Sequence, residues 1–534
     1  MTLDGQTDAI SFLVNPATYD VAGPVETMDT HISRIFLAGQ RAYKMKRAVN
    51  LPYADFSTPE LRLATCQREV ELNSATAPEL YLGVRRITRK VDGALEFDGS
   101  GELVDSVVEM ERFDQSALLD RMALDGRLTA ALMSETAGMI VRFHRGAPVV
   151  HAGSGAANIA GVLDINRAGL ATSNVFSAAE AAAFDARFRS VLAGHASLLD
   201  AREAAGKVRR CHGDLHLRNI YLLAAGQPRL FDCIEFSEQI ATIDILYDLA
   251  FLLMDLWHRG LPEFANLVAN RYLDEADDED GFILLPFFMA IRAAVRAHVT
   301  ATQAEQSGDA SGRLAGEARS YFDLALDLLT ERPVRLIAIG GLSGSGKTTI
   351  AEALAEHIGA PPGARIVESD RIRKAMHGVS SETRLPDKAY RPGVSGRVYR
   401  EMAWRAELML AQGASVVADA VFDRPTDRER IGHVAESQAV PFQGIWLDAA
   451  PALLRRRVER RKGGPSDATV DVLSRQLQKD TGAIGWQRLN AAGSAKDIIS
   501  EILELPLALA KRPGATKRLN ERTTLAQASN MKRT

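Results

Sequence analysis

Two stretches of this chain place residue types at spacings that suit phosphate chemistry. The first reads Gly341-Leu342-Ser343-Gly344-Ser345-Gly346-Lys347-Thr348, which fits G-x-x-x-x-G-K-[ST], and Thr349 follows it. Glycines at those intervals let backbone N–H groups close onto phosphate oxygens. Lys347 can then reach the outer phosphates, and the Thr348 hydroxyl can take a position on Mg²⁺. The pattern implies a nucleoside triphosphate, ATP with Mg²⁺. Downstream, Val367-Glu368-Ser369-Asp370 ends an apolar run on acid, with Arg373 three residues on. A carboxylate at the rim of a sheet can take a proton from an acceptor hydroxyl. Val416-Val417-Ala418-Asp419 closes another apolar run on Asp, the expected form of an acid that holds Mg²⁺ directly or through water. The second stretch, 212–219, reads His-Gly-Asp-Leu-His-Leu-Arg-Asn, and Asp232 follows at the end of Arg229-Leu230-Phe231.

These residues need elements to hold them. Val334 to Ile339 is β-branched and apolar, and Ile350, Ala351, Leu354, Ala355 and Ile358 recur at helical spacing after Lys347, so strand, glycine loop and helix follow one another. Strand-like runs at 364–367, 414–418 and 442–447 alternate with helical stretches. The second half is therefore expected to be an α/β, doubly wound parallel sheet. In the first half, 35–38 and 41–46 flank Gly39-Gln40 and predict a hairpin. Helix-favouring stretches fill 60–75, 115–145, 177–206 and most of 240–305. That order predicts an α+β domain with a helical larger lobe. A helix over 319–330 then leads into Arg332-Pro333, which sets a boundary near 331: a domain over 1–330, a second over 331–510 and a tail over 511–534.

The totals bound the partners. A chain of 534 residues exceeds one core, and a formal net charge of −4 gives no global electrostatic case for nucleic acid or membrane. No run approaches the roughly 20 apolar residues a membrane span needs. The polar, acidic N-terminus does not read as a secretory signal, and Cys66, Cys211 and Cys233 form no C-x-x-C pair, so a reducing, cytoplasmic setting is expected. In the tail, Lys511, Arg512, Lys517, Arg518, Arg522, Lys532 and Arg533 face one acid, Glu521, which reads as a solvated, disordered segment.

Protein kinases arrange a catalytic base and metal ligands as H-R-D-x-x-x-x-N followed by Asp. His212-x-Asp214-x-x-x-x-Asn219 and then Asp232 reproduce that spacing, with Gly213 in place of Arg. The H-G-D-x-H-x-x-N form resembles the aminoglycoside phosphotransferase and choline kinase branch of the two-lobed kinase-like fold. The resemblance implies Asp214 as base and Asn219 and Asp232 as Mg²⁺ ligands. Asp244-Ile245-Leu246-Tyr247-Asp248-Leu249-Ala250 resembles the helix that supports the catalytic loop there, with Asp248 as a buttress. Tyr43-Lys44-Met45-Lys46 is the candidate for the strand carrying a nucleotide-binding lysine, and Glu69 would pair with it. Lys44 and Lys46 share a strand face, so both stay open. No G-x-G-x-x-G precedes that strand; 29–33 read Asp-Thr-His-Ile-Ser.

The second half resembles small-molecule and polynucleotide 5′-hydroxyl kinases of the P-loop class. There Asp370 would be the base and Arg373 would hold the acceptor or its phosphate. The run Leu453 to Lys462 resembles the arginine-bearing lid of those enzymes, with Arg457 and Arg461 placed on one helix face and Arg460 beside it; Ser466-Asp467-Ala468 and Gln476 fit the lid exit. Over nearly its whole length the chain is similar to bacterial bifunctional aminoglycoside phosphotransferase/ATP-binding proteins. The expectation is an ATP- and Mg²⁺-dependent transfer of the γ-phosphate to hydroxyl groups of small molecules at two candidate sites. The acceptor pockets are expected within 115–180 and 376–400. Nucleic acid is disfavoured as a partner, with 5′-hydroxyl ends left open, and no membrane partner is expected. Two rivals are an ATP-gated regulator with a pseudokinase N-terminal domain, and a toxin-like sugar-nucleotide kinase.

Overall fold

The computed structural model describes residues 6–506 apart from 20, 22, 31, 52–53, 152, 308–311 and 462. The basic tail, His31, Lys462 and most of the break at 306–312 therefore lie outside the described residues. The chain divides into two compact units. One comprises residues 1–259 and 287–327, the other 260–286 and 328–534.

In the first unit, six strands form one antiparallel sheet: β1 (Glu26–Asp29), β2 (Ser33–Ala38), β3 (Arg41–Lys46), β4 (Tyr81–Arg89), β5 (Leu95–Phe97) and β6 (Glu102–Glu111), in the order β1-β2-β3-β6-β4-β5. The expected hairpin is β2–β3, with Ala38 opposite Arg41 and Gly39 at φ 58° in its turn. The alternation of strands sorts the core. Leu37 and Val108 face a cluster with Cys66 and Leu80, whereas Phe36 and Val107 face one with Leu13 and Ile87. Helix α1 (Pro59–Asn73) starts on a Thr58 cap with Pro59 at its first position, and carries the fully buried Glu69 beneath the sheet. The remainder is mainly helical, as the sequence predicts. Strands β4 and β6 are not evident in the sequence, because arginines and acids interrupt their apolar alternation. The strand before Asp232 spans only Pro228–Leu230, short of Phe231, and Asp232 takes φ 62°.

The second unit holds the expected parallel sheet. Its strands β7 (Leu336–Gly340), β8 (Arg365–Glu368), β9 (Val416–Asp419), β10 (Phe442–Asp448) and β11 (Gln487–Asn490) are ordered β8-β9-β7-β10-β11. Chain order reverses at β7, so ligands are expected beyond its carboxyl end. The sequence reading does not include β11, an edge strand in which only Leu489 is buried. Beyond α2 (Ile245–His258), helix α3 (Pro262–Ala276) packs on the edge strand β8. Asn270 Oδ1 accepts from Ile366 N at 2.7 Å, and Asn266 Nδ2 donates to the Ala364 carbonyl at 3.0 Å. Arg365, 2% exposed, is held by Glu279 and Asp274. These contacts satisfy Ile366 N and the Ala364 carbonyl at an edge that would otherwise offer them to another chain. The compact division thus falls at 327/328 and assigns 260–286 to the second unit, a segment that lies well inside the first sequence half.

One helical stretch, Glu279–Gln306, is long and apolar enough to cross a membrane. Because 67% of its apolar window is buried within the structure, core packing accounts for that composition.

Candidate functional site

In the second unit, the glycine loop connects β7 to helix α4 (Lys347–Ala355). Gly341, Gly344 and Gly346 all take positive φ (142°, 84° and 89°), which side chains with a Cβ disfavour. A Cβ at Gly341 or Gly344 would also lie 2.6 Å from a backbone carbonyl, that of Leu447 or Leu454. Segment 343–349 lines one side of a cleft of about 1690 Å³. Gly341 and Leu342 support it from behind, and Lys347 Nζ donates to the Leu342 carbonyl at 3.3 Å. Ser345 Oγ is buried without a hydrogen-bond partner. A phosphate oxygen would supply what that hydroxyl lacks, so the loop fits a nucleotide phosphate.

Thr348 Oγ1 donates to Asp419 Oδ2 at 2.6 Å, which joins a hydroxyl and a carboxylate at the end of β9. Such an oxygen pair fits Mg²⁺. Asp370 lies in the first turn of α5 (Ser369–Met376) and does not cap it, since the cap position is Glu368. Burial, with like charge nearby, pushes Asp419 up to about 6 and Glu368 to about 8. Burial also raises Asp370, against the pull of Arg373 and Lys347, and lowers Lys347. The unit thus gathers three desolvated acids around one buried lysine. Glu368 carried no role in the sequence reading, and its significance depends on this crowding.

Arg373, which precedes helix α6 (Pro392–Gln412), is 5% exposed. Its Nη1 donates to the Ala389 carbonyl at 2.8 Å, and the guanidinium sits 4.7 Å from the Tyr390 ring centre. The basic lid is α7 (Pro451–Arg460). Arg461 lies past its end, in extended conformation, so the expectation that Arg457 and Arg461 share a helix face is corrected; both still line the cleft, and Arg461 Nη1 donates to the Ser466 carbonyl at 3.3 Å. Arg456 and Arg460 line it as well. Gln476, on α8 (Val470–Gln478), accepts from Ser343 N at 3.0 Å and ties the lid exit to the phosphate loop. Of the residues expected near the acceptor, Tyr390, Arg391 and Tyr399 line the cleft; Arg397 does not.

In the first unit, Lys44 and Lys46 separate in role. Lys44 Nζ meets Glu69 Oε1 at 2.8 Å and contacts Asp232, whereas Lys46 Nζ meets Glu69 Oε2 at 2.5 Å and contacts Glu235. The Lys44 side chain is 11% exposed and that of Lys46 only 1%, so Lys44 is the more accessible of the two. Burial opposes ionisation of Glu69 and Asp232, yet the lysines hold both below the usual carboxylate range. Glu235, absent from the sequence reading, is pushed up by burial. Asp232 has the strained left-handed backbone, fixed by two donated bonds: Asp232 N to the Tyr81 hydroxyl at 3.1 Å and Cys233 N to Asn73 Oδ1 at 2.8 Å.

The loop at 212–219 is organised from α2. Asp248 accepts from His212 N (3.1 Å), Gly213 N (2.9 Å) and His144 Nε2 (3.1 Å), and so is the buttress the sequence implied. Gly213 has φ 85° and a Cβ there would lie 2.9 Å from Ile234. His212, which burial keeps neutral, donates from Nε2 to the Phe231 carbonyl at 2.9 Å, leaving Nδ1 to accept from Asp214 N at 3.3 Å. Asn219 Nδ2 donates to Asp214 Oδ2 at 2.9 Å, and His216 Nε2 lies 3.3 Å from the same oxygen. Burial would raise Asp214, but His216, His212 and Arg296 hold it well below the usual range. Asp214 and Asn219 are therefore joined directly, and Asp232 is joined to Lys44. The three cysteines are buried and free, and burial raises their thiols.

Comparison with known proteins gives two family matches. A family model for the phosphotransferase enzyme family matches 62–282, and one for an AAA domain matches 336–481. Uncharacterized proteins of Mycobacterium tuberculosis and Mycobacterium bovis are 29% identical over 508 residues, spanning 92% of this chain and 96% of theirs. An adenylyl-sulfate kinase of Myxococcus xanthus is 26% identical over 117 residues, 21% of this chain and 57% of that one. Among solved structures, a choline/ethanolamine kinase family protein from Mesorhizobium loti aligns over 61% of this chain and 99% of its own, with 12% identity and a TM-score of 0.37. The chain joins a domain of the phosphotransferase enzyme family to a P-loop, kinase-like AAA domain.

Proposed function

We propose that the second unit is an ATP-dependent kinase that moves the γ-phosphate to a hydroxyl of a small molecule. The observation that carries this reading is one cleft holding the phosphate loop, the Thr348–Asp419 pair, Asp370 and a basic lid. In this reading the loop N–H groups and Lys347 bind and orient the phosphates, and Thr348 with Asp419 would hold Mg²⁺, which supplies charge neutralisation when bound. Asp370 faces the acceptor and accepts its hydroxyl proton, a role helped by its raised affinity for protons. Arg456, Arg457, Arg460 and Arg461 neutralise charge as the phosphoryl group moves. The test is Asp370→Asn in the full chain. A kinase loses phosphotransfer and retains nucleotide affinity. A nucleotide-gated regulator keeps its response.

The first unit supports a second phosphotransfer site, because Lys44–Glu69–Asp232 and Asp214–Asn219 lie in place without help from a ligand. Lys44 orients phosphates, Asn219 and Asp232 offer oxygen to Mg²⁺, and Asp214 serves as base. Asp214→Ala in a Lys347→Ala background isolates that activity. No ATP consumption above that double variant, with any hydroxyl acceptor, leaves a pseudokinase. We place the protein in the cytoplasm on its reduced cysteines.

A further inference from the structure

Several arginines of the second unit are paired with acids: Arg365 with Asp274 and Glu279, Arg371 with Glu368, Arg405 with Glu401, and Arg430 with Asp427. On the acceptor side of the cleft, Arg384, Arg391 and Arg424 line the wall, and their guanidinium groups make no hydrogen bond or ion pair to any described residue. Two of the carboxylates on that wall are already engaged. Asp467 accepts from Lys374 Nζ at 2.8 Å, Tyr390 Oη at 2.5 Å and Leu385 N at 2.9 Å, and Asp423 pairs with Lys479 at 2.5 Å. Asp387 and Asp471, which are exposed, also line the cleft.

Exposed arginines alone would read as a solvated face. Arg373 changes that reading. It is buried, at 5% exposure, it lines the same cleft, and its Nε has no hydrogen-bond partner among the described residues. Stacking on Tyr390 and the bond to the Ala389 carbonyl fix the guanidinium plane. A buried donor left unpaired in a fixed fork is matched by a planar or tetrahedral anion. The nucleotide does not account for this charge, since Lys347 and the lid arginines already serve its phosphates.

We infer that the acceptor of the second unit carries an anionic group of its own, a phosphate, sulfate or carboxylate, held by Arg373 with Arg384, Arg391 and Arg424 while Asp370 faces its hydroxyl. The inference rests on the kinase reading of this cleft and narrows the substrate class from alcohols to anionic alcohols. The segment 383–390, pinned to Asp467, sets the position of that subsite relative to the lid exit.

The test uses the full chain saturated with a non-hydrolysable ATP analogue and Mg²⁺, so that the phosphate loop is filled, and titrates inorganic sulfate by calorimetry. Sulfate is expected to bind beside the analogue. The Arg384→Ala/Arg391→Ala variant, which alters exposed side chains only, is expected to bind it at least about tenfold more weakly. Failure of sulfate to bind, full displacement by the analogue, or unchanged affinity in the variant overturns the inference. A second arm compares neutral polyols with their carboxylated and phosphorylated counterparts as acceptors. Equal turnover of neutral and anionic alcohols also overturns it. If the analogue itself does not bind, the kinase reading fails, whereas a sulfate site lost in the variant still reports the subsite.

Discussion

The two candidate centres handle buried charge in opposite ways. In the first unit, cations and acids neutralise one another: Lys44 and Lys46 sit among Glu69, Asp232 and Glu235, and Glu69 and Asp232 stay below the usual carboxylate range. In the second, Glu368, Asp370 and Asp419 crowd one lysine and are all raised, while arginines opposite them stay unpaired. The first centre is complete by itself. The second is electrostatically unbalanced, and in the proposed reading a phosphate-bearing ligand with a cation would supply the missing partners.

The largest effect that would sharpen this contrast concerns how the second unit is bounded. A chain that begins at residue 331 lacks Asn270, Asp274 and Glu279, so Arg365 stays buried without its acids and the β8 edge is exposed. Leaving such a charge unpaired costs about 3–5 kcal/mol, a large share of the roughly 5–15 kcal/mol that a domain has in total. Thermal melting should show this truncated chain unfolded or aggregated at temperatures where the full chain is intact. Equal melting temperatures would remove α3 from the definition of the unit.

Next in size, Asp370→Asn should lower phosphotransfer in the full chain by about 10²–10⁴ and leave nucleotide affinity in place. Comparable kcat in the variant and the parent would break the assignment of the base. In the first unit, the same logic applied to the lysines splits two outcomes. Lys46→Met strands Glu235 and half of Glu69, and urea unfolding should register a loss of about 3–5 kcal/mol. Lys44→Met should act mainly on nucleotide KM, because its partner Asp232 keeps access to solvent, with 39% of its side chain exposed. Reversed results would exchange the two roles.

The remaining effect is a pH dependence to which Glu368 of the second unit contributes. Glu368 is raised from 4.5 to about 8, so the folded chain holds a proton there that the unfolded chain releases. Stability should therefore fall as pH rises from about 4.5 to 8, and level off on either side. Glu368→Gln should flatten the slope, followed by the fluorescence of Trp446 and Trp486. A slope that survives the substitution would assign the effect elsewhere.

Much of the architecture was legible because its signals are local. The phosphate loop, its flanking strand and helix, and the parallel strands ending at Glu368 and Asp419 follow from glycine spacing and apolar runs that need no distant partner. The loop at 212–219 was legible for the same reason, and Asp248 supports it from a motif that could be read 36 residues away. Strands β4, β6 and β11 were not, since charged residues on half-exposed strands blur the alternation. Arg461 was placed on the helix face although it lies one residue past the end of α7, where the backbone becomes extended at the lid, which no residue type announces.

The sequence by itself determined that two phosphate-handling motifs lie on one chain, and which carboxylates close their strands. Tertiary structure alone decided the rest. Lys44 and Lys46 have the same residue type and the same strand parity, and only Asp232 and Glu235, 188 and 189 residues away, distinguish them. Helix α3 reads as part of the first half, yet its asparagines satisfy the edge of β8. The arginines of the second cleft look like any surface charge until the burial of Arg373 and the engagement of Asp467 and Asp423 single out those without a partner. Such facts depend on which groups share a desolvated space, and a linear chain does not encode that distance at any single position.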